Sequence, residues 1–301
     1  MQTGAEIGLD YNSWLVGEQF MGFKMINPGF HCLFYSSVSK ENEFSSRTII
    51  PLFLHSKEVC VLEWDPKEEQ LFEVEKVDYN KAQQYKNGAS QFQFDKQTAY
   101  YPFETMGKWM SMTSYITQDI FKRLTDPTAE RFILDDESDH PYNYTQTVNI
   151  SALIDPKRFS TQHRTPQQIS QLYLDSSDEL SQLAEKWRSC TKSPYFAILG
   201  EFEFSFIMFH IGQDFESLLQ WKNILFLFTH AFSCLTESKD ISITSFLENI
   251  MKATYFQLSE LEEDFFSLND GTEGNRGKRI NSKNFVIKCL EVCFYRFCSH
   301  M

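Results

Sequence analysis

The sequence predicts an α+β protein: a β-rich, sandwich-like N-terminal domain over residues 1–160, then an all-α C-terminal domain over residues 161–301. Three observations carry that reading. Up to about Tyr101 the apolar residues come in short runs between turn signals. After Thr165 they recur at helical spacing. A chain of 301 residues with 42% apolar residues and 29 Phe also has the material for two cores, which excludes general disorder.

The strands are expected first. Residues 4–37 are dense in glycine, aromatics and turn signals, and residues 32–35, 49–54, 59–64 and 71–74 form compact apolar runs. Asn27-Pro28-Gly29 and Asp65-Pro66 punctuate them, as hairpins and loops require. Pro51 sits early in its run and suits an edge strand or a strand start. Beyond Phe103 the period lengthens. Met106, Trp109, Met110, Thr113 and Ile116 mark one face of a helix, and Thr117 caps a second with Ile120, Phe121 and Leu124. Asp126-Pro127 ends it. These helices near 105–124, with a late strand near 144–154, complete the first domain.

The second domain opens at Thr165-Pro166, a cap followed by proline at the first helical position. Ser193-Pro194 repeats the device before the most apolar helix. At about 100° per residue, Phe202, Phe206 and Phe209 share one side, and Phe204, Ile207, Met208 and Ile211 the other. Glu201 with Ser205, and Glu203 with His210, take the edges between. Two apolar faces make a central helix, packed on both sides. Gly212 serves as its stop and Asp214 caps the next helix. Further helices are expected over 243–258 and 282–298, around a polar loop at 269–281. Such helix pairs suit a VHS-like or α-solenoid stack.

Charge and composition exclude several functions. A net charge of -13 argues against binding nucleic acid through a general field, so no direct DNA contact is expected and RNA contact is at most local. Proteins with basic surfaces fit better as partners. The N-terminus has no charged segment followed by an apolar run, so no secretory signal is expected. The apolar windows at 195–211 and 215–232 are interrupted by charges, so no membrane partner is expected either. Seven scattered cysteines read as reduced thiols, which places the chain in cytoplasm and nucleus.

No constellation supports catalysis, a cofactor or a metal. Cys289, Cys293, Cys298 and His300 are the best ligand candidates, but their helix reads as packed and lacks paired CxxC spacing. The stretch from Gly271 to Arg279 resembles a phosphate loop in outline only. Thr272 replaces the required glycine, and Arg279 stands where a magnesium-binding hydroxyl belongs. Its Arg276, Lys278 and Arg279 remain weak candidates for contact with an acidic partner or RNA. No GxSxG elbow exists, and Asp10 has no second carboxylate in an equivalent turn, so turn duty is expected of it. Ser176 and Ser177 precede acidic residues and are candidate phosphorylation sites, with capping as the competing reading. Tyr11, Trp14, Phe20 and Phe30 are candidate partner-binding anchors.

Three blocks carry a resemblance. They are Gly8-Leu9-Asp10-Tyr11-Asn12-Ser13-Trp14 with the aromatics that follow, Tyr101-Pro102-Phe103 with Lys108-Trp109-Met110-Ser111-Met112-Thr113, and Leu199-Gly200-Glu201-Phe202-Glu203-Phe204-Ser205-Phe206. In this order they resemble the AAR-type splicing factors. The resemblance implies a β-rich domain, a VHS-like helical domain and no catalytic activity. It further implies binding to the large PRP-eight-type scaffold of the U5 particle, around its RNase H-like and Jab/MPN domains, with helicase docking delayed and phosphorylation triggering release. Relatives carry an additional strand before the first block and often continue past the last helix. Either a sheet short of one strand, or a missing final helix or tail, is therefore expected here. A cytosolic trafficking adaptor with a VHS-like peptide-binding domain is the alternative reading, and a hydrolase the weakest.

Overall fold

A computed structural model describes residues 1, 3–38, 44–125, 165–167, 175–188, 194–231, 241–267 and 284–298. Contacts divide the chain into two units. Met1–Met110 fall in the first, and the described residues from Ser111 onward in the second.

The first unit is built on a four-stranded antiparallel sheet in the order β2-β1-β4-β5, with β1 (Glu6–Leu9), β2 (Asn12–Leu15), β4 (Gly29–Ser36) and β5 (Thr48–Leu54). Its inner strands alternate strictly. Ile7 lies opposite Tyr35 and Leu9 opposite Leu33, and all four enter one apolar core with Ala5, Val16, Leu71 and Tyr101. On the other face Gly8 lies opposite Phe34, whose ring end would stand 2.0 Å from any Cβ at position 8. The Arg47 guanidinium covers that ring at 4.3 Å and pairs with Glu6 at 3.1 Å. β5 is an outer strand, and it carries Pro51. A proline costs least where a backbone donor is dispensable.

Two smaller sheets complete the strands. β6 (Leu62–Asp65) and β7 (Gln70–Glu73) form a hairpin whose turn is held by Asp65, which accepts from the Lys67 backbone at 2.8 Å. β3 (Gly22–Lys24) pairs in parallel with β8 (Thr98–Tyr100). Each apolar run expected to be a strand contributes to one. Between β7 and β8, however, stand α1 (Val74–Val77) and α2 (Tyr79–Ser90), which the β-rich reading of the stretch up to Tyr101 does not separate out. α2 buries only Ala82 and Gly88 and so has almost no apolar stripe to read. Its start is nonetheless marked by Asp78, whose carboxylate accepts from the Lys81 backbone.

The expected helices near 105–124 exist as α3 (Met106–Met112) and α4 (Gln118–Thr125), the latter capped by Thr117. Trp109 is buried but Met110 is exposed, because the buried face of α3 runs through Trp109 and Met112 instead. α3 straddles the boundary between the units, and α4 packs on the central helix of the second. The expected late strand near 144–154 lies outside the described residues.

In the second unit α6 (Pro194–His210) is the central helix. α4, α5 (Ser177–Arg188), α7 (Phe215–His230) and α8 (Ile241–Glu260) all pack on it. Every residue from Ala197 to Met208 is buried. Glu201, Glu203 and Ser205, expected at polar edges, are therefore inside, whereas His210 is half-buried and stacks on Phe206. Phe202, Phe206 and Trp221 form the aromatic centre, with the Trp221 indole donating to Gln257 at 2.7 Å. The turn after α6 corrects one expectation. Gln213, not Gly212, takes the left-handed conformation at φ 60°, and the Asp214 backbone closes on the Met208 carbonyl at 3.2 Å. The Gln213 N–H meets the Phe209 carbonyl at 2.9 Å, the bond of the simple left-handed C-cap, here with a left-handed residue that is not glycine. Asp214 then caps α7 as expected, accepting from Ser217 at 2.8 Å. α9 (Glu263–Ser267) brings Phe265 onto Trp221, and α10 (Phe285–Cys298) packs on α7.

Candidate interaction surface

Asp10 organises the opening block. It follows β1 at the hairpin turn with φ 56°, a left-handed conformation that Asp tolerates better than bulkier residues. Its buried carboxylate accepts from the Cys32 backbone at 2.9 Å and from the Tyr101 hydroxyl at 2.6 Å, and it meets His31 Nδ1 at 2.8 Å. His31 Nε2 lies 2.7 Å from the Asn27 carbonyl, so both ring nitrogens are engaged. Burial and the Asp10 carboxylate push the Tyr101 hydroxyl well above its ordinary range, which keeps it a donor. The turn duty expected of Asp10 is there, joined to a second: it ties the β1–β2 turn, β4 and the segment after β8 into one knot.

An Asp, a His and a Tyr in contact resemble acid–base machinery. All three are buried, and their mutual contacts and the bond to the Cys32 backbone join segments far apart in the chain. The cluster holds structure. Among the described residues, no three His, Cys, Asp or Glu side chains are placed to share a metal ion.

The candidate anchors point inward. Phe30 is buried and stacks on Trp109, whose indole donates to the Phe30 carbonyl at 2.8 Å. Tyr11 meets the same Trp109 edge-on, and Trp14 and Phe20 are half-buried against Phe23. Their neighbours face out instead: Leu15 is 67% exposed and Met21 46%. The pleat of β2 sends successive side chains to opposite faces, so Trp14 inside puts Leu15 outside.

The exposed apolar groups gather elsewhere. Around β3 and β8 lie Met25, Tyr100 and Phe103, with the Lys24 ammonium 4.1 Å from the Tyr100 ring centre. An open cleft of about 330 Å³ beside them is lined by Phe20, Lys96 and Thr98, among others. In the helical unit two ridges at i, i+4 spacing face solvent, Phe215 with Leu219 and Met251 with Tyr255. Sequence reasoning missed these groups because exposure depends on register and on neighbours distant in the chain.

Two comparisons bear on this arrangement. The AAR2 N-terminal domain matches residues 1–126, and the AAR2 C-terminal repeat region matches residues 152–300. The chain belongs to the AAR2 family. It is similar to the human Protein AAR2 homolog, 28% identical over 336 residues that cover 99% of this chain and 81% of the relative. The mouse homolog shows the same identity and coverage over 335 residues. The Caenorhabditis elegans homolog is 28% identical over 296 residues, 87% of this chain and 77% of its own.

AAR2 family membership makes the chain a splicing-related factor. The AAR2 N-terminal match runs past α4, so α4 goes with the β-rich part by sequence and with the helical unit by contact. The remaining sequence candidates fall as follows. Ser176 is buried, its backbone donating to the His230 carbonyl at 2.9 Å; Ser177 is half-buried, its hydroxyl donating to Asp175 at 2.6 Å. Arg276, Lys278 and Arg279 lie outside the described residues, as do the side chains of Cys293, Cys298 and His300, whereas Cys289 is buried. No helix among the described residues is long and apolar enough to cross a membrane.

Proposed function

We propose that this chain is a non-catalytic assembly factor for the U5 small nuclear ribonucleoprotein. It acts by binding the large PRP-eight-type scaffold, through surfaces that meet its RNase H-like and Jab/MPN domains, and so delays helicase docking in cytoplasm and nucleus. One observation carries the reading: both halves match the AAR2 family, in order, over nearly the whole chain. The net charge of -13 suits a partner with basic surfaces, which an acidic body attracts and orients. The exposed apolar groups around β3 and β8 and the two helical ridges supply the kind of side chain that anchors interfaces.

Affinity capture of the tagged chain from cell extract, followed by mass spectrometry, tests the proposal. The expected result is recovery of the large U5 scaffold protein. Recovery of endosomal coat proteins without any spliceosomal scaffold overturns it and favours a trafficking adaptor. Fractionation that finds the chain in neither cytoplasm nor nucleus removes the compartment assignment.

A further inference from the structure

Three residues on one face of α6 read a single residue of the segment that opens the helical unit. Phe196, Gly200 and Glu203 stand at i, i+4 and i+7 and therefore line up along the helix. The Tyr115 ring stacks on Phe196, with centroids 5.4 Å apart and planes 5° from parallel. A Cβ at position 200 would stand 2.4 Å from the Tyr115 carbonyl oxygen, so only glycine admits that backbone. The Tyr115 N–H donates to Glu203 Oε2 at 2.7 Å. Ring, carbonyl and amide of one residue are thus each met, and Ile116 beside it is buried.

We propose that Gly200 and Glu203 form a clasp that seats the Tyr115 peptide on α6 while Glu203 is a neutral acid, and that loss of its proton opens the clasp. The geometry explains why charge matters. Glu203 is 1% exposed, and among the described residues the Tyr115 N–H is the one donor that meets it. A carboxylate out of water needs more compensation than that. Burial accordingly holds the Glu203 carboxyl well above the ordinary range, with the Tyr115 N–H opposing more weakly.

Among the described residues no cation is paired with Glu203: Lys122 and Arg123 stand on α4, Arg188 on α5, where it pairs with Glu185, and Lys222 on α7. α4 and α5 bury Ile120, Leu124, Leu180, Leu183 and Trp187. From α7 comes Gln220, which donates to Glu201 at 2.8 Å, and from α8 come Glu248 and Lys252, paired with each other at 2.6 Å. The Tyr115 hydroxyl is itself pushed up, by burial and then by Glu203. Because the folded-state pKa of Glu203 is raised, its contribution is complete at acid pH and is lost as pH rises through that folded value.

The test is hydrogen exchange of the Tyr115 amide in the full chain, followed from acid through neutral to alkaline pH. Rates are corrected for intrinsic base catalysis. Protection in the parent chain is expected to fall by up to about tenfold per pH unit as pH rises from the ordinary glutamate range to the Glu203 midpoint in the closed clasp, and to level off above it. Glu203→Gln, neutral at every pH and still an acceptor, is expected to keep protection constant. Glu203→Ala is expected to lose it throughout. Protection that stays flat in the parent chain overturns the proposal. So does an unprotected Tyr115 in Glu203→Gln at the acid end, because the acceptor would then have to be a carboxylate.

Discussion

Each unit of this molecule buries a carboxyl group at its structural centre, and the two are treated differently. Asp10 in the β-rich unit meets three partners, the Cys32 N–H, the Tyr101 hydroxyl and His31. Glu203 in the helical unit meets one, the Tyr115 N–H. A buried polar group is held by how many of its lone pairs are met, since each unmet one keeps its desolvation cost. Asp10 is therefore a fixed knot and Glu203 a conditional one. The difference follows from architecture. Antiparallel strands and their turns bring backbone donors to a turn residue from several directions, whereas a helix consumes its own donors and leaves a side chain to find whatever crosses it.

The largest effect is expected from breaking the fixed knot. Asp10→Ala orphans the Cys32 N–H and the Tyr101 hydroxyl, removes the partner of His31 Nδ1 and puts alanine at a left-handed φ. Each orphaned buried group costs about 1–3 kcal/mol. A loss of about 4 kcal/mol is expected, read as a lower denaturant midpoint with accelerated exchange at the Cys32 amide. A loss below about 1 kcal/mol would mean that the cluster is not the centre we describe.

A second comparison sets two glycines against each other. Gly8 faces the far end of the Phe34 ring, and Gly200 faces a backbone carbonyl. A ring end can swing, at the cost of its packing under Arg47; a carbonyl moves only with the chain. Gly200→Ala is therefore expected to cost the upper part, and Gly8→Ala the lower part, of the roughly 1–3 kcal/mol that overpacking costs. Equilibrium unfolding of both variants decides the order. The reverse order would show that α6 shifts more easily than the sheet.

These residues also show how much could be read from the sequence. Runs such as residues 49–54 declare themselves, because an apolar run between turn residues has few other folds. The burial of α6 on both sides follows from its two apolar faces. The knot does not follow: Tyr101 reaches Asp10 across 91 positions, and no local pattern encodes that meeting. Glu203 was legible as a residue between two apolar faces but not as a buried one, because the covering segment, Tyr115, lies far upstream. α2 stayed hidden for the opposite reason. It buries only Ala82 and Gly88, so it has almost no apolar stripe for periodicity to report. Exposure along β2 was not legible either: half-buried Trp14 and exposed Leu15 differ only in which side of the pleat they take.

The smallest effects are expected at the helix caps, where the same contrast between met and conditional burial can be sharpened. Asp78 caps α2 through the Lys81 backbone at 3.0 Å, and Asp214 caps α7 through the Ser217 backbone at 2.8 Å. Replacing a capping Asp by Ala costs about 0.5–2 kcal/mol. Asp78 is exposed, so water takes over the freed Lys81 N–H, and the loss is expected near the low end. Asp214 and Ser217 are both buried, so the freed Ser217 N–H has no such substitute and the loss is expected near the high end. Denaturant midpoints of Asp78→Ala and Asp214→Ala make the comparison directly. Equal losses would show that water reaches the start of α7 as readily as the start of α2, and that burial at a cap does not add to its worth.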